Sequence, residues 1–362
     1  MKRRVVITGL GVVAPNGVGL RSFHRALAHG RSGITRITSF STREMRARIG
    51  GEVRGLTGLL PGVERVAQLA LLAAREASEQ AGIGAGPWGI SVGTVSGGGC
   101  SAQVLARQLG FSGRRITVSN ACAAGATALA CGADLVRQGK HDVVLAGGAE
   151  AFELLTFSGF HALRSLDPLC CRPFDAARQG LVIGEGAAFL ILEERERALR
   201  RGADIWAEFA GYGLTGDAYH ETAPDPSGRG AARAIKAALT AARLDRSEID
   251  YYNAHGTGTP QNDAMETRAL KRVFGVRATK LPVSSSKSMI GHLMGAAGAV
   301  EALASVLAIR YSFIPPTINY KKRDPECDLD YVPNQARSRP LRAVLSANFG
   351  FGGSNAVLAF KK

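Results

Sequence analysis

One cysteine of the chain, Cys122, stands where its thiol could act as a nucleophile. The preceding segment 115–118 alternates and is rich in β-branched residues, which predicts a strand. The Ala-rich segment 122–136 predicts a helix buried on all sides. A thiol in the first turn of such a helix would face unpaired backbone N–H groups and the positive end of the helix dipole, and both favour the thiolate. A free cysteine is also commonly a small buried hydrophobic residue, so this stretch alone does not establish a nucleophile.

Further residues with useful chemistry lie at the ends of other predicted strands. They are His255 in the loop 253–260, Lys287 and His292 in 284–292, and the glycine-rich turn 348–354. In a doubly wound sheet, the loops after the carboxyl ends of parallel strands converge on one cleft. A lone histidine is commonly structural and a lone lysine commonly a surface charge, but their joint position with Cys122 favours an active site. A zinc site of Cys122, His255 and His292 would lack the closely spaced ligand pair typical of zinc sites.

The elements that must position these residues alternate between strands and helices. The first part of the chain predicts strands at 3–8, 89–94, 115–118, 143–146 and 187–193, and helices at 20–29, 64–80, 102–109 and 122–136. The second part predicts strands at 205–212, 249–253, 281–284, 342–348 and 355–360, and helices at 230–242, 259–274 and 296–311. Alternation of this kind predicts an α/β fold with parallel pairing. The similar order predicts two related halves, 1–200 and 201–362, which form one compact body because no Pro-, Ser- or charge-rich linker separates them.

The composition is typical of a soluble globular protein. Apolar residues make up 46% of the 362 residues, and the 45 glycines form no low-complexity tract. Thr8, Gly9 and Gly11 break the apolar N-terminal run early, which predicts a first strand rather than a signal peptide. The longest charge-free run, 116–133, contains several polar residues and predicts a buried strand and helix rather than a membrane span. The six cysteines show no CxxC pair, which favours reduced thiols and a cytoplasmic protein.

The formal net charge of +15 is carried mostly by arginine. Such a surface could attract nucleic acid, a membrane surface or an acidic protein. The arginines are scattered along the chain, and aromatic residues make up only 6%, which argues against the stacking platforms of single-strand binders. We therefore favour an acidic protein partner over nucleic acid.

Taken in order, these stretches resemble a known family. The chain has no nucleophile elbow, HExxH motif or P-loop, and Gly9 and Gly11 alone are too weak a signal for a dinucleotide site. It is similar to the β-ketoacyl-[acyl-carrier-protein] synthases of the elongating type, close to synthase II of bacterial fatty acid synthesis and to polyketide ketosynthases. The matching motifs are 120–125, 172–175, 184–186, 255–260, 287–301 and 348–355. The resemblance covers almost the whole chain and implies the thiolase fold, a duplicated five-layer α/β/α/β/α arrangement.

The resemblance implies a role for each residue singled out above. Cys122 would hold an acyl chain as a thioester, and a malonyl thioester would lose carbon dioxide to give the enolate that attacks it. His255 and His292 would donate hydrogen bonds to the thioester oxygen on which the enolate charge grows. The N–H groups of Cys122 and Phe351 would form an oxyanion hole, and a Lys287–Glu301 pair would order the histidines. Thr257 and Thr259 would bind the pantetheine arm, and Phe160 and Ser96 would contact the acyl group. Arg164 would bind the carrier protein, and Phe351 would also act as a gate for the acyl chain.

The resemblance also implies the partners. Acyl and malonyl groups would arrive on the phosphopantetheine arm of an acidic acyl carrier protein. The enzyme itself would then have no metal and no cofactor of its own. The basic surface would then serve to bind the carrier. A homodimer is expected, and a heterodimer is possible. Initiating synthases of the same fold carry Asn at the position of His292 and chain-length-factor subunits lack the nucleophile, so Cys122, His255 and His292 together favour an active condensing enzyme.

The chain departs from the family in length. Relatives are longer by a few dozen residues, and the missing residues fall between Gly93 and Arg115, in a stretch that helps to build the dimer interface and the acyl pocket of relatives. Ser96 stands where synthase II has a larger apolar residue. We therefore expect an altered acyl pocket and a dimer that is weakened, rearranged or formed with a different subunit. The alternative function is that of a non-catalytic or partner-dependent subunit of a ketosynthase heterodimer.

Overall fold

The structure, a computed structural model, describes residues 3–57, 61–95 and 100–362. Its strands are β1 (Val5–Ala14), β2 (Gly17–Val18), β3 (Thr35–Arg36), β4 (Ile49–Gly50), β5 (Gly89–Gly93), β6 (Arg115–Val118), β7 (Val143–Glu150), β8 (Gly186–Glu194), β9 (Ala207–Gly216), β10 (Tyr251–Asn253), β11 (Val283–Ser284), β12 (Phe313–Ile314), β13 (Arg337–Ser338), β14 (Ala343–Gly350) and β15 (Ser354–Lys361). Its α-helices are α1 (Leu20–Ala28), α2 (Arg65–Ala81), α3 (Ala102–Leu109), α4 (Ala124–Arg137), α5 (Leu154–Ala162), α6 (Arg195–Arg200), α7 (Arg229–Ala242), α8 (Pro260–Phe274), α9 (Lys287–Ile290) and α10 (Ala297–Tyr311). The predicted strands and helices are present, most of them with somewhat different ends. Helices α5, α6 and α9 and the short strands β2, β3, β4, β12 and β13 were not predicted.

The strands of the two parts of the chain follow one order. The first part forms the order β6-β5-β7-β8-β1, and the second part forms β11-β10-β14-β15-β9. In each set the three strands farthest from the middle of the sheet are parallel, and the next strand, β8 or β15, is antiparallel to both of its neighbours. The sets meet where β1 and β9 pair antiparallel, with Val6 opposite Glu208 and Ile7 opposite Ala207.

The helices form layers around these strands. Helices α4 and α10 pack on each other and on strands of both sets, so they form a middle layer, whereas α2 covers one outer face and α7 covers the other. This is the thiolase fold, with the five layers α/β/α/β/α. The division of the chain into two units at residue 200, between α6 and β9, stays a prediction.

The middle layer is apolar because it has no face toward water. Residues 297–309 of α10 are all buried, and they pack in one cluster with α4 and with β1 and β8. Among the described residues, one helical stretch, Met294–Tyr311, is long and apolar enough to cross a membrane, and 89% of it is buried inside the protein. A core helix of a soluble protein passes the same test.

Strand β6 and helix α5 are both partly open to solvent. Strand β6 is an edge strand of the large sheet, and its residues are exposed or half-buried. Helix α5 buries Phe157 and Phe160 but exposes Leu154 and Leu155 by 48% and 82%. Leucines on the solvent side of a helix are unusual in a single chain, because the outer face of a surface helix is commonly polar.

Candidate active site

The nucleophile candidate lies in a turn between β6 and α4. Cys122 is buried, and helix α4 begins at Ala124, so the thiol precedes the helix rather than lying in its first turn as predicted. The helix begins late because Ala121 takes a left-handed backbone conformation with φ of 54°. The thiol still lies near the amino-terminal end of α4, where the helix dipole is positive.

The expected low pKa of this thiol is wrong for the structure as it stands. Burial raises the pKa of Cys122 to about 12, because loss of water disfavours the thiolate. The positive charge of Lys287 and the backbone N–H groups of Phe351 and of Cys122 itself act in the opposite direction, but they do not offset burial. The resting group is therefore a neutral thiol at neutral pH.

Backbone donors face the sulfur of Cys122 from two directions. One is its own N–H group, and the other is the N–H group of Phe351 in the turn between β14 and β15. The turn approaches closely because residue 350 is glycine: a Cβ there would lie 3.1 Å from the Cys122 nitrogen and 3.2 Å from the Ala121 Cβ. Two N–H groups in this arrangement can stabilise an oxygen anion that forms on a carbonyl attacked by the sulfur.

The first histidine, His255, follows β10 and is buried. Its Nδ1 lies 3.3 Å from the Lys287 Nζ. An ammonium group has donors and no acceptor, so Nδ1 is the acceptor and the ring proton is on Nε2. Burial and the Lys287 charge hold the pKa of His255 well below its usual range, so the ring is neutral at neutral pH.

The second histidine, His292, is fixed in the same tautomer by a backbone donor. The N–H group of Met294 donates to its Nδ1 at 3.2 Å, which leaves the proton of the neutral ring on Nε2. Burial, and secondarily Lys287, lowers the pKa of His292 well below the usual value. The rings of His255 and His292 stand nearly perpendicular, with centroids 5.3 Å apart. The site thus presents two neutral N–H donors side by side.

Behind the histidines lies a buried ion pair. Lys287 and Glu301 are hydrogen-bonded to each other, and each side chain is 1% exposed. The second oxygen of Glu301 accepts a hydrogen bond of 2.7 Å from Asn348 Nδ2. A buried charge pair of this kind is maintained by its hydrogen bonds, and it places a fixed positive charge next to His255.

A small cavity of about 60 Å³ joins most of the predicted residues. It is lined by Cys122, His255, His292, Phe160, Phe351, Thr257 and Thr259, together with Leu181, Thr222, Pro224, Asn262, Phe349 and Gly350. Phe160 and Phe351 stack across it with ring centroids 5.5 Å apart. The cavity is small, and the stacked Phe160 and Phe351 form part of its wall.

A larger vestibule of about 340 Å³ adjoins this cavity. The two share Leu181, Thr222, Pro224, Thr259 and Phe351. Arg164 lines the vestibule and is exposed, so it lies at the outer end of the path to Cys122. Lys287 and Glu301 are not among the residues that line the cavity, and Ser96 lies outside the described residues.

Some residues of the site carried no clear signal in the sequence. Glu266 accepts hydrogen bonds from the N–H groups of His255 and Gly256 at 2.9 and 2.8 Å, and Asp263 accepts one from Gly258 at 3.2 Å. Acidic residues at the start of α8 were a signal for this role, since such residues commonly bind backbone N–H groups. Thr222 and Pro224 come from the loop after β9, and no local pattern could have identified them.

Metal binding finds no support in the residues that the structure describes. Among residues 3–57, 61–95 and 100–362 there is no group of three or more His, Cys, Asp or Glu side chains that could hold a metal ion. The two histidines instead use Nδ1 for Lys287 and for a backbone N–H group.

Comparison with known proteins identifies the family. The profile described as "Beta-ketoacyl synthase, N-terminal domain" matches residues 2–103 and 87–198, and "Beta-ketoacyl synthase, C-terminal domain" matches residues 206–321. The 3-oxoacyl-[acyl-carrier-protein] synthase 2 of Synechocystis sp. is 42% identical over 409 aligned positions, which cover 100% of this chain and 98% of the relative. The alignment is longer than the 362 residues of this chain, so the relative has residues that this chain lacks.

Similarity to solved structures supports the same family. The chain is similar to "The ishigamide ketosynthase/chain length factor" with a TM-score of 0.96 and 38% identity, and each chain is covered completely. It is also similar to a ketosynthase bound to a hexaketide and in complex with its type II polyketide synthase acyl-carrier protein, with a TM-score of 0.93, 35% identity and complete coverage of both chains. The chain therefore belongs to the β-ketoacyl synthase family. It is an acyltransferase of the condensing type that acts in chain elongation.

Proposed function

We propose that Cys122 carries the acyl group in this condensation. The cavity that joins Cys122 to both histidines and to the Phe351 turn is the observation that supports this most strongly. The Cys122 thiol attacks the acyl thioester of a carrier protein, a new thioester forms on its sulfur, and the thiol proton leaves with the carrier's thiol. The N–H groups of Cys122 and Phe351 stabilise the tetrahedral oxyanion.

Condensation then uses the two histidine donors. Malonyl carrier protein binds with its thioester oxygen against the Nε2–H groups of His255 and His292. Loss of carbon dioxide leaves an enolate, whose charge these donors stabilise. The enolate carbon attacks the acyl carbon on Cys122, the β-ketoacyl carrier protein is released, and the Cys122 thiolate takes up a proton. Lys287, held by Glu301, keeps Nδ1 of His255 an acceptor and so maintains the donor tautomer.

The remaining residues serve the carrier and its arm. Thr257 and Thr259, whose hydroxyl groups are 2.9 Å apart at the cavity wall, bind the pantetheine arm. Arg164 binds the acidic carrier protein at the mouth, and the stacked pair Phe160 and Phe351 separates to admit the acyl chain. The enzyme needs no metal and no cofactor of its own, because phosphopantetheine arrives on the carrier. We place it in the cytoplasm.

The experiment that tests this proposal separates the two half-reactions by intact-protein mass. Wild type mixed with acyl carrier protein is expected to gain the acyl mass, and Cys122→Ala is expected to gain none. His292→Ala is expected to gain the acyl group but to release carbon dioxide from malonyl carrier protein about 10²- to 10³-fold more slowly, because an oxyanion donor is lost. Acylation of the Cys122→Ala variant would refute the assignment of the nucleophile.

The oligomeric state is part of the proposal. The edge strand β6 and the exposed Leu154 and Leu155 of α5 support a dimer in which a second subunit covers exposed edge or apolar surface, and a homodimer is the simpler form. A heterodimer with a related subunit is the alternative, in which this chain depends on its partner for activity. Light scattering of the purified chain distinguishes them: a monomer that transfers no acyl group by itself supports the heterodimer.

A further inference from the structure

A third cavity lies next to the vestibule, on the side away from Cys122. It has a volume of about 490 Å³ and is lined by Arg46, Ala47, His161, Ala162, Arg164 and Leu166. Arg164 lines both this outer cavity and the vestibule. The outer cavity is therefore a neighbour of the vestibule, which in turn borders the cavity at Cys122.

The arginines of the outer cavity differ from those nearby in their partners. Arg172 is paired with Asp167, and Arg178 is paired with Asp324. Arg46 donates instead to the neutral Gln179 Oε1 at 2.6 Å. In the part of the chain that the structure describes, no ion pair involves Arg46 or Arg164. Two guanidinium groups in a concave site, with no acid to neutralise them, are suited to bind an anion.

The backbone at Arg164 turns sharply at the end of α5. Helix α5 ends just before it, and the following residue, Ser165, donates its N–H group back to the Phe160 carbonyl at 3.1 Å. Arg164 has a φ of 53°, a left-handed conformation at which helices commonly place glycine. Helices α7 and α10 end in the same way at Arg243 and Ser312, so this conformation sets the direction in which the Arg164 side chain leaves the backbone and does not by itself mark a site.

We propose that Arg46 and Arg164, with His161 beside them, bind the phosphodiester at the root of the phosphopantetheine arm. This inference rests on the proposed function, because it takes the arm to enter through the vestibule. The phosphate is at the opposite end of the arm from the thioester, so with the thioester at Cys122 we infer that it lies toward the mouth, where Arg164 borders both the vestibule and the outer cavity. Arg guanidinium groups match phosphate oxygens with two parallel hydrogen bonds.

The test compares two small acyl donors in the absence of any carrier protein. One is an acyl-phosphopantetheine and the other is the same acyl-pantetheine without phosphate. At equal, sub-saturating concentrations, wild type is expected to acylate Cys122 about tenfold faster from the phosphorylated donor, because charged hydrogen bonds to the phosphate are worth at least this factor. The rate is measured by intact-protein mass.

Variants locate the phosphate. The double variant Arg46→Ala/Arg164→Ala is expected to lose the preference for the phosphorylated donor. The single variant Arg46→Ala is expected to lose part of the preference. Arg43→Ala is its matched control: it removes one exposed positive charge from the same loop, outside the outer cavity, and is expected to keep the preference. Equal rates from both donors in wild type, or an unchanged preference in the double variant, would overturn the proposal.

Two further outcomes are distinct from these. If the double variant loses activity with acyl carrier protein but keeps the small-molecule preference, the arginines bind carboxylates of the carrier, and the phosphate assignment is wrong. If neither donor acylates Cys122, the proposed function fails, and the subsite is tested by titration calorimetry with phosphopantetheine and pantetheine. Tighter binding of phosphopantetheine to wild type, lost in the double variant, supports the subsite by itself; equal binding refutes it.

Discussion

The two parts of the chain share one strand order but contribute different chemistry to the site. At the carboxyl end of β6, before the buried helix α4, the first part supplies the sulfur of Cys122. At the matching position after β11, before α10, the second part supplies Lys287 and His292. His255 and the Phe351 turn follow β10 and β14 of the same second part. One part therefore carries the nucleophile, and the other carries the charge and the hydrogen-bond donors.

The contact between the two middle helices sets the distance between these contributions. A Cβ at Gly125 of α4 would lie 2.8 Å from the Gly295 carbonyl oxygen, and one at Gly298 of α10 would lie 2.5 Å from the Ala126 nitrogen. The helices meet backbone to backbone beside the active site, where any side chain would separate them. Two parts with the same strand order can thus contribute different catalytic groups through a few side chains, provided that the two parts pack tightly against each other.

The largest effect is expected from the buried charge of the second part. Lys287→Met leaves Glu301 unpaired in the core, which is expected to cost about 3–5 kcal/mol of the free energy of unfolding. It also removes the partner of His255 Nδ1. Denaturant unfolding measures the stability, and Lys287→Met/Glu301→Gln is expected to recover much of it without recovering condensation. The control Arg268→Met breaks the exposed pair with Glu326 and is expected to cost less than about 1 kcal/mol. Equal losses in both single variants would contradict the prediction.

The next effect concerns the closest approach of the two parts at the sulfur. Gly350→Ala pushes a methyl group against the Cys122 nitrogen, so the N–H donors move and acyl transfer is expected to slow by about tenfold or more. Gly216→Ala is the control, since nothing lies within 4 Å of a Cβ built there and its φ is not positive. Acylation rates by mass spectrometry check both, and an unchanged rate in Gly350→Ala would show that the donors tolerate displacement.

The pH dependence of the first part tests the environment of its thiol. Because the pKa of Cys122 is raised to about 12, the thiolate fraction increases about tenfold for each pH unit over the neutral range. Alkylation of Cys122 by iodoacetamide, followed at the level of its peptide, is therefore expected to rise from pH 6 to pH 9 without a plateau. A plateau below pH 8 would mean that the dipole of α4 and Lys287 outweigh burial.

The smallest effect is expected at Thr257, which the second part contributes to the wall of the cavity. Thr257→Val removes a hydroxyl group that lines the cavity, so KM for the acyl carrier protein is expected to rise a few-fold with little change in kcat. Thr279→Val removes an exposed hydroxyl that bonds its own turn at Val276 and is the matched control. Steady-state kinetics distinguishes the two, and a fall in kcat alone would argue against a role in binding.

Much of the fold could be predicted from local patterns. Helices such as α3 and strands such as β6 were predicted with the bounds that the structure has, because the capped helix with one apolar face and the β-branched strand depend on neighbouring residues. Helix α5 was missed because its apolar residues show no helical period. Its buried Phe157 and Phe160 belong to a cluster with distant parts of the chain, including Ile37 and Met294.

The site was predicted in part for a similar reason. The residues in the motifs around Cys122, His255 and His292 lie at strand ends, and strand ends of a parallel sheet converge. Thr222 and Pro224 were not predicted, since a loop after β9 reaches the cavity only through the packing of the two parts. The pKa of Cys122 was predicted in the wrong direction, because the local helix dipole is evident from sequence whereas burial is not.

The sequence by itself determined the residue types, the alternation of strands and helices and the resemblance to condensing enzymes, since these depend on local order along the chain. The tertiary structure alone decided the tautomers of the two histidines, the burial of Cys122 and the unpaired arginines of the outer cavity. Each of these depends on groups far apart in sequence, such as Lys287 beside His255 or Phe351 beside Cys122. The packing of α4 against α10 brings those groups together.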